Sequence, residues 1–326
     1  MGTSPNEISG NSSTTQSAND DRYGIRPSAY RLPDATRIRS VTLQVSDLAR
    51  SRDFYENTLG FRPLVIGADR VSLGAHGRDD VLIELIENRA GQRRALKGSL
   101  GLYHVAILLP TRADLGRFLR DVAARGIRVG AGDHLVSEAL YLQDPDNLGI
   151  EVYADRPRAG WHYNARELAM ASDPVDMHGL VTAGGSTPWS GMPAGATIGH
   201  VHLHVGDIAL AARFYSDGVG FDRMAWSFPG ALFMSAGGYH HHLGTNTWAG
   251  ARAVPATRDD PQLLEWVLEL PAQPDVAAVA ESLQRGGYVS ALSDDGMSIT
   301  TRDPWGTVVR VAVPLRRAQD RKPLQD

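Results

Sequence analysis

The chain repeats one pattern, and this repeat limits its fold more than any other feature. The segment VSDLARSRDFYENTLGF at residues 45–61 returns at residues 205–221 as VGDIALAARFYSDGVGF. Val, Asp, Phe-Tyr and Gly-Phe occupy the same offsets in both copies. Register kept over a whole unit indicates a duplicated fold, so each copy serves as a control for the other. Function is therefore expected where equivalent positions differ.

Each half of the chain contains two units of the order βαβββ. Residues 40–45 alternate as a strand does, and Asp47 is placed to cap a helix that ends at Gly60. A second unit begins with a strand at 103–109 and a helix at 113–125, and both units recur at about 198–248 and 263–313. We therefore predict an α+β fold of four βαβββ modules, paired into two domains.

The composition along the chain predicts the domain boundaries. The first 36 residues are rich in Ser, Asn, Thr and Asp and lack the apolar surface that would offset ordering, which predicts a disordered arm. Several prolines and glycines mark residues 156–196 as a linker. The predicted organisation is thus an arm at 1–36, domains of two modules each at 37–155 and 197–314, and a tail at 315–326.

Charge and composition exclude several classes of function. The formal net charge is −4, so the chain lacks the basic surface that nucleic acid binding needs. There is no cysteine, so a metal would be bound by His, Asp or Glu. No apolar run approaches the roughly 18 residues of a membrane span. The N-terminus lacks the order of a signal peptide. These features predict a cytoplasmic protein without a membrane partner.

Histidines are concentrated in the second half. Three of them alternate along residues 200–204 and would share one face of a strand, and three more follow one another at 240–242. A single strand histidine is most often a hydrogen-bonded core residue, but two clusters on neighbouring strands favour a metal site. In the first half the counterparts of His200, His202 and His204 are Ser40, Thr42 and Gln44, so the fold itself does not require the histidines.

Glu265 is a third candidate, because a carboxylate between Leu and Trp is costly to bury unless it is paired or bound to a metal. An ion pair with Arg310 and a role as ligand are both open. Two histidines and one carboxylate with open positions suit non-haem Fe(II), and Mn²⁺ or Zn²⁺ are alternatives. We predict the ligand set His200, His242 and Glu265, although the member of 240–242 that points inward stays open.

The first half contains a weaker rival set, Glu84, His104 and Glu151. Ile-Glu-Leu and Ile-Glu-Val are common in amphipathic strands, and a lone strand histidine is usually a core residue. We therefore interpret the first half mainly as scaffold and the second half as the active one.

Several motifs together resemble a known superfamily. They are Phe-Tyr with Leu-Gly-Phe after a βα start, Asp-Pro-Asp with Gly-Ile-Glu-Val-Tyr at a unit end, and the four βαβββ units. They resemble the vicinal oxygen chelate superfamily of glyoxalases, extradiol ring-cleaving dioxygenases and bleomycin-resistance-type binding proteins. Residues 133–141, 199–205 and 237–248 are similar to bacterial catechol-2,3-dioxygenase-like proteins.

The resemblance implies that units pair edge to edge and that each sheet curls into a metal-binding cup. Ligands in that superfamily come from the first and last strands of a unit, which places His200, the 240–242 run, Glu265 and Arg310 at such positions. Extradiol enzymes usually have His and Glu where this chain has Glu265 and Arg310. Arg310 disfavours a four-ligand glyoxalase-type site, and it could instead hold a substrate oxyanion.

These observations predict an Fe(II)-dependent extradiol-type dioxygenase that cleaves a catechol-like aromatic diol with O₂. A histidine next to the metal, His240 or His202, would accept the phenolic proton and return it as the ring opens. One alternative is a non-catalytic protein that binds or sequesters an aromatic ligand, and another is a glyoxalase-like isomerase or lyase. Edge strands leave room for a homo-oligomer, which the sequence does not demand.

Overall fold

The structure, a computed structural model, describes residues 23–95 and 98–314. Its strands form two large sheets and one two-stranded hairpin, and helices cover the large sheets. The predicted α+β class with four βαβββ modules is confirmed. The four modules are called units 1 to 4 in chain order, and strands and helices are likewise numbered along the chain.

The first large sheet has eight strands and combines unit 1 with unit 4. Its order is β17-β18-β19-β16-β1-β4-β3-β2. The strands of unit 1 are β1 (Arg37–Val45), β2 (Arg62–Ile66), β3 (Arg70–Gly74) and β4 (Ile83–Glu87), and those of unit 4 are β16 (Gln262–Glu269), β17 (Ser290–Leu292), β18 (Ser298–Arg302) and β19 (Val308–Ala312).

The second large sheet combines unit 2 with unit 3 in the order β12-β13-β14-β11-β5-β8-β7-β6. The strands of unit 2 are β5 (Ser99–Leu108), β6 (Gly130–Asp133), β7 (Ser137–Gln143) and β8 (Gly149–Asp155), and those of unit 3 are β11 (Thr197–His204), β12 (Asp222–Ala225), β13 (Ala231–Ser235) and β14 (Leu243–Asn246). The short β15 (Val254–Pro255) pairs with β5, and β9 (Tyr163–Asn164) forms the hairpin with β10 (Glu167–Leu168).

The helices begin where the sequence predicts. The Asp47 carboxylate accepts a hydrogen bond from the backbone N–H of Arg50 at 3.0 Å and so caps the first helix. No helix of the described ranges is long and apolar enough to cross a membrane. The helices are α1 (Leu48–Asp53) with a π-helical continuation (Phe54–Thr58), α2 (Arg112–Ala124), α3 (Met177–Gly184), α4 (Ile208–Ala211) with a π-helical continuation (Ala212–Val219) and α5 (Gln273–Arg285), and a 3₁₀ turn covers Arg158–Gly160.

The units pair across the two halves of the chain, which corrects the predicted domain organisation. Strand β1 pairs antiparallel with β16, and β5 pairs antiparallel with β11. Residues 37–155 and 197–314 therefore do not form one sheet each. The repeat could not reveal this, because the first strand of every unit offers a similar edge and sequence similarity does not say which two edges meet.

The repeated motifs make the contact that holds neighbouring units together. The Tyr55 hydroxyl donates to the carboxylate of Asp144 at 3.3 Å, and the Tyr215 hydroxyl donates to the carboxylate of Asp303 at 2.8 Å. All four side chains are buried. Each bond joins the Phe-Tyr motif of one unit to the Asp-Pro motif of the next, so both repeats have the same structural cause.

Residues 23–36 are ordered, so the predicted disordered arm is wrong for this part. Leu32 is 1% exposed, and the guanidinium of Arg31 donates to the carboxylate of Asp222 at 2.7–3.0 Å. Local composition could not show this, because the surface that buries Leu32 is formed by residues far along the chain. Residues 1–22 of the predicted arm and the predicted tail at 315–326 lie outside the described residues.

The predicted linker at 156–196 is a packed part of the fold. Its helix α3 lies against α2 so closely that a Cβ on Gly116 would be 2.0 Å from the carbonyl oxygen of Leu180. Leu180 and Met192 are fully buried. The connection is thus packed against the first half and is not an extended spacer.

Cross-pairing predicts that neither half folds alone. A fragment of residues 1–160 loses the partners of β1 and β5, and a fragment of residues 190–326 loses the partners of β16 and β11. Each fragment then exposes apolar strand edges that favour aggregation. We expect native-like circular dichroism and a soluble 1:1 complex only when both fragments are co-expressed. A monomeric half with a cooperative thermal transition would contradict the prediction.

Candidate metal centre

Three buried side chains from three adjacent strands converge on one point. They are His104 on β5, Glu151 on β8 and His200 on β11, and each is at most 4% exposed. The Nε2 atoms of the two histidines are 3.3 Å apart. The Glu151 Oε2 atom lies 2.9 Å from Nε2 of His104 and 3.2 Å from Nε2 of His200.

The strand register produces this convergence. Glu151 and His200 lie opposite the same residue, Ala106, from the two strands that flank β5. His104 is two residues from Ala106 and therefore on the same face of the sheet. The small side chain of Ala106 leaves the space that the three larger groups share.

The group fits a divalent metal ion. Three mutually perpendicular bonds of about 2.1 Å separate their ligand atoms by about 3.0 Å. The observed separations of 2.9, 3.2 and 3.3 Å are close to this value. Two imidazoles and one carboxylate form the donor set that is typical of non-haem Fe(II) sites with open positions.

The protonation states also suit a metal. Burial lowers the pKa of His200 to about 4, in spite of the attraction of Glu151, so the imidazole is neutral at pH 7. Burial would raise the pKa of Glu151, but the attraction of His200 and His104 outweighs burial and holds this pKa well below its usual range. Metal ligands must be deprotonated, and both groups meet that condition.

One corner of the site has no side-chain donor. The symmetric register of β5 and β11 makes His104 and His200 equivalent, and the same symmetry relates β8 to β14. The residue of β14 that corresponds to Glu151 is Gly244. The arrangement therefore offers three candidate ligands and leaves the fourth equivalent position without a side-chain donor.

The three ligands lie on the wall of a cavity of about 310 Å³, here called the metal cup. Aromatic rings and histidines form most of the wall, and neither lysine nor arginine is among the described residues that line it. The lining residues other than the three ligands are Tyr103, Gly130, Ala131, His134, Tyr141, Met170, Ala171, Ser172, His202, Phe228, Phe233, His241 and Trp248.

His241 ends a chain of hydrogen bonds at the cup wall. Its Nδ1 atom is 2.7 Å from Nδ1 of His240, and Nε2 of His240 is 2.9 Å from the Asp155 carboxylate. Since a carboxylate only accepts, His240 carries its proton on Nε2 and accepts from His241 at Nδ1. This assignment leaves the unshared pair of His241 on Nε2. The His241 ring centroid lies 4.0 Å from that of His200.

His202 also lines the metal cup, as a member of a separate network. Its Nε2 atom accepts from the side-chain amide of Asn246 at 2.9 Å. The Asn246 carbonyl oxygen accepts from the backbone N–H of Trp248 at 3.0 Å and from Nδ1 of His204 at 2.6 Å. Sequence alternation correctly placed these histidines on one strand, and the amide fixes their tautomers.

The structure brings together only one of the three predicted ligands. His200 belongs to the group of three converging side chains. His242 does not, and its Nδ1 atom accepts a hydrogen bond from the backbone N–H of Ala236 at 3.2 Å. Glu265 lies on β16 in the other sheet. Of the predicted acid–base residues, His202 lines the cup and His240 lies behind His241.

Two residues of the group, His104 and Glu151, belong to the rival set that we interpreted as scaffold. The third member of that set, Glu84, lies on β4 in the other sheet. The motifs Tyr-His-Val-Ala and Gly-Ile-Glu-Val-Tyr were visible signals for a site. Their meaning depended on unit 2 meeting unit 3, which the sequence did not show.

Comparison with known proteins shows the family to which the chain belongs. Residues 37–152 match the model of the Glyoxalase/Bleomycin resistance protein/Dioxygenase superfamily. The chain is 41% identical over 271 residues to the Catechol-2,3-dioxygenase of Bacillus subtilis (strain 168). The matched region covers 82% of this chain and 94% of that protein. The chain therefore belongs to this superfamily, and the predicted membership is confirmed.

Solved structures show the same fold. A candidate dioxygenase from Bacillus subtilis subsp. subtilis str. 168 superposes with a TM-score of 0.57 at 14% identity, over 87% of this chain and 86% of that one. Glyoxalase I from Zea mays gives a TM-score of 0.52 at 14% identity, over 86% of this chain and 92% of that one. At such low identity these likenesses concern the fold alone.

Metal content tests the ligand set. We expect about one divalent ion per wild-type chain by inductively coupled plasma mass spectrometry. The variants His104→Ala, Glu151→Ala and His200→Ala should each lose most of it, because removing one of three ligands leaves too few donors. Glu265→Gln is the control from the other sheet and should keep the wild-type content. Full loading of Glu151→Ala, or a metal-free Glu265→Gln, would contradict the assignment.

The pH dependence of stability tests the buried histidine outside the group. Burial lowers the pKa of His242 from 6.5 to about 3, so below pH 6.5 the unfolded chain binds a proton that the folded protein excludes. Stability should therefore fall as the pH falls from 6.5 toward 3. His242→Leu removes this titrating group. The substitution should therefore reduce the slope of the free energy of unfolding against pH, between pH 6 and 4, by about 1.4 kcal/mol per pH unit.

Urea denaturation of metal-free protein at several pH values measures this slope. Leucine is a suitable replacement, because Leu82 occupies the equivalent position in the other sheet. The backbone carbonyl of Leu82 accepts from the N–H of Val41, and the backbone carbonyl of His242 accepts in the same way from the N–H of Val201. The exposed His162 provides a matched control through His162→Leu. An unchanged slope in His242→Leu would show that His242 is already protonated in the folded protein.

Proposed function

We propose that this protein is a metal-dependent extradiol-type dioxygenase that cleaves an uncharged catechol-like diol with O₂, and that Fe(II) is its metal. The observation that carries the proposal is the buried group of His104, Glu151 and His200 on the wall of an aromatic cavity. The likeness to a Catechol-2,3-dioxygenase over most of the chain supports it.

The metal would be held by His104, Glu151 and His200. When bound there, a divalent ion supplies Lewis acidity to the diol oxygens and a template that holds diol and O₂ side by side. The protein contributes a buried and largely apolar surrounding, in which electrostatic interactions are stronger than in water. The corner at Gly244, which lacks a side-chain donor, distinguishes this cup from a four-ligand glyoxalase-type site.

The size and lining of the metal cup determine which aromatic substrates fit. Its volume of about 310 Å³ suits a single aromatic ring, and rings such as Phe233 and Trp248 offer faces for packing. None of the described lining residues is a lysine or arginine, so a carboxylate on the substrate would be buried without a cationic side chain to pair with. We therefore expect uncharged catechols to be better substrates than carboxylated ones.

His241 is the proposed acid–base residue. Burial lowers the pKa of His241 well below its usual value, so the ring is neutral before the substrate binds and can accept the phenolic proton at Nε2. His240 and Asp155 lie behind it and stabilise the imidazolium through the two hydrogen bonds of 2.7 and 2.9 Å. The proton returns from Nε2 as the ring opens.

Oxygen uptake by anaerobically purified, Fe(II)-loaded protein tests the proposed reaction. Catechol should give O₂ consumption in a 1:1 ratio to diol, with a product that absorbs in the near ultraviolet. The carboxylated 3,4-dihydroxybenzoate should react more slowly by about tenfold or more. Tight binding of catechol without any O₂ uptake would instead support the non-catalytic binding protein.

Substitution of His241 separates proton transfer from metal binding. His241→Asn should lower kcat by about 10²–10⁴-fold while the metal content stays at the wild-type level, because only the proton acceptor is lost. Asp155→Asn should lower kcat by less, since His241 Nε2 remains in place. The exposed His162→Asn is the matched control. Wild-type kcat in His241→Asn would rule out the assigned role.

A further inference from the structure

The first large sheet encloses a second cavity, here called the arginine cup. Its volume is about 720 Å³, and its wall includes residues of β1, β4, β16 and β19, the strands that correspond to those around the metal cup. Its charged lining residues are Arg37, Arg39, Arg78, Asp79, Asp80, Glu84, Glu265, Glu269 and Arg310.

The strand registers show which residues replace the metal ligands. Ser40 lies opposite Val267 as His200 lies opposite Ala106, and both sheets have a bulge just before this pair. Extending the same comparison along the strands gives one set of equivalents. The positions of His200, His104 and Glu151 are taken by Ser40, Glu265 and Arg310. This set has one carboxylate and a guanidinium, so it does not repeat the metal site.

A second exchange makes room for another arginine. At the bulge of the metal cup stands Gly199, where a Cβ would lie 1.8 Å from the Tyr153 hydroxyl oxygen. At the equivalent bulge of the other sheet stands Arg39, and the equivalent of Tyr153 is Ala312. Arg39 thus stands where the metal cup has Gly199, and Ala312 stands where it has Tyr153. The small alanine leaves space for the Arg39 side chain that a tyrosine ring would fill.

Two arginines of this cup have no ion-pair partner. Most charged residues of its wall are paired: Arg37 with Glu269, Arg78 with Asp80, Asp79 with Arg62, and Glu84 with Arg70 at 3.9 Å. Arg39, Arg310 and Glu265 make no ion pair within 4.0 Å among the described residues. Among these three groups without an ion pair, two are guanidinium cations and one is a carboxylate.

Both arginines also have a buried donor atom that is not used in a hydrogen bond. Nη1 of Arg39 and Nε of Arg310 are buried, and neither has a hydrogen-bond partner among the described residues. Buried donors without partners are rare in folded proteins because each costs free energy. An anion between the two guanidinium groups would supply both the charge and the acceptors.

We propose that the arginine cup binds a small organic carboxylate that also carries a hydroxyl group. The planar guanidinium groups of Arg39 and Arg310 hold the carboxylate, since arginine donors match carboxylate geometry. Glu265 lies at the position of His104 and accepts a hydrogen bond from the ligand hydroxyl. Apolar residues such as Leu82, Ile198 and Val267 line the rest of the cup and suit the carbon frame of the ligand.

Titration calorimetry with 4-hydroxybenzoate tests this site in the full-length chain. We expect saturable 1:1 binding, with no detectable binding of the uncharged isostere 4-hydroxybenzamide. Arg39→Gln and Arg310→Gln should each weaken binding by about tenfold or more, because each removes one charge-assisted contact. Arg37→Gln, on the same wall but paired with Glu269, should stay within about twofold of the wild type.

Further arms separate the proposal from simpler explanations. His104→Ala removes a ligand of the metal cup and should leave 4-hydroxybenzoate binding unchanged, so the result does not depend on the proposed dioxygenase activity. Circular dichroism and melting temperature establish that the variants fold. The proposal is overturned if the wild type does not bind the carboxylate. It is equally overturned if inorganic phosphate binds as tightly, or if Arg37→Gln weakens binding as much as Arg39→Gln.

Discussion

The antiparallel pairing of β5 with β11 is the constraint on which the candidate site depends. It joins unit 2 to unit 3 and brings His104 and His200, which are far apart in the sequence, to an Nε2–Nε2 distance of 3.3 Å. The parallel neighbour β8 then adds Glu151 from the other side of Ala106. A slip of one residue in this register would turn His200 to the face of the sheet opposite His104, and the three side chains would no longer converge.

Sequence reasoning predicted what is local and missed what depends on partners. The four units, the Asp47 cap and the strand that carries His200 follow from short-range patterns, and the structure has all of them. Short-range patterns do not show which units pair with each other or that residues 23–36 are ordered, because both depend on contacts with residues that are distant in the sequence. The convergence of His104 and Glu151, which sequence reasoning gave only as a weaker rival set, depends on the first of these.

The two cups show how one backbone can serve opposite electrostatic purposes. In the metal cup the carboxylate of Glu151 lies against the imidazoles of His104 and His200, and no lysine, arginine or other carboxylate is among the described lining residues, which suits a neutral ring. In the arginine cup most charged side chains form ion pairs, whereas Arg39, Arg310 and Glu265 form none within 4.0 Å among the described residues. The difference resides in a few register-equivalent side chains rather than in the strands that carry them.

Cross-pairing also has a consequence for how such a protein could arise. A half-chain with two units would form both sheets only as a symmetric homodimer, in which the two cups are identical by necessity. Joining two copies in one chain removes that identity, because the metal cup takes its ligands from units 2 and 3 and the other cup its equivalents from units 1 and 4. Each cup can then change by substitution without altering the other, and gene fusion becomes the step that makes a second specificity available.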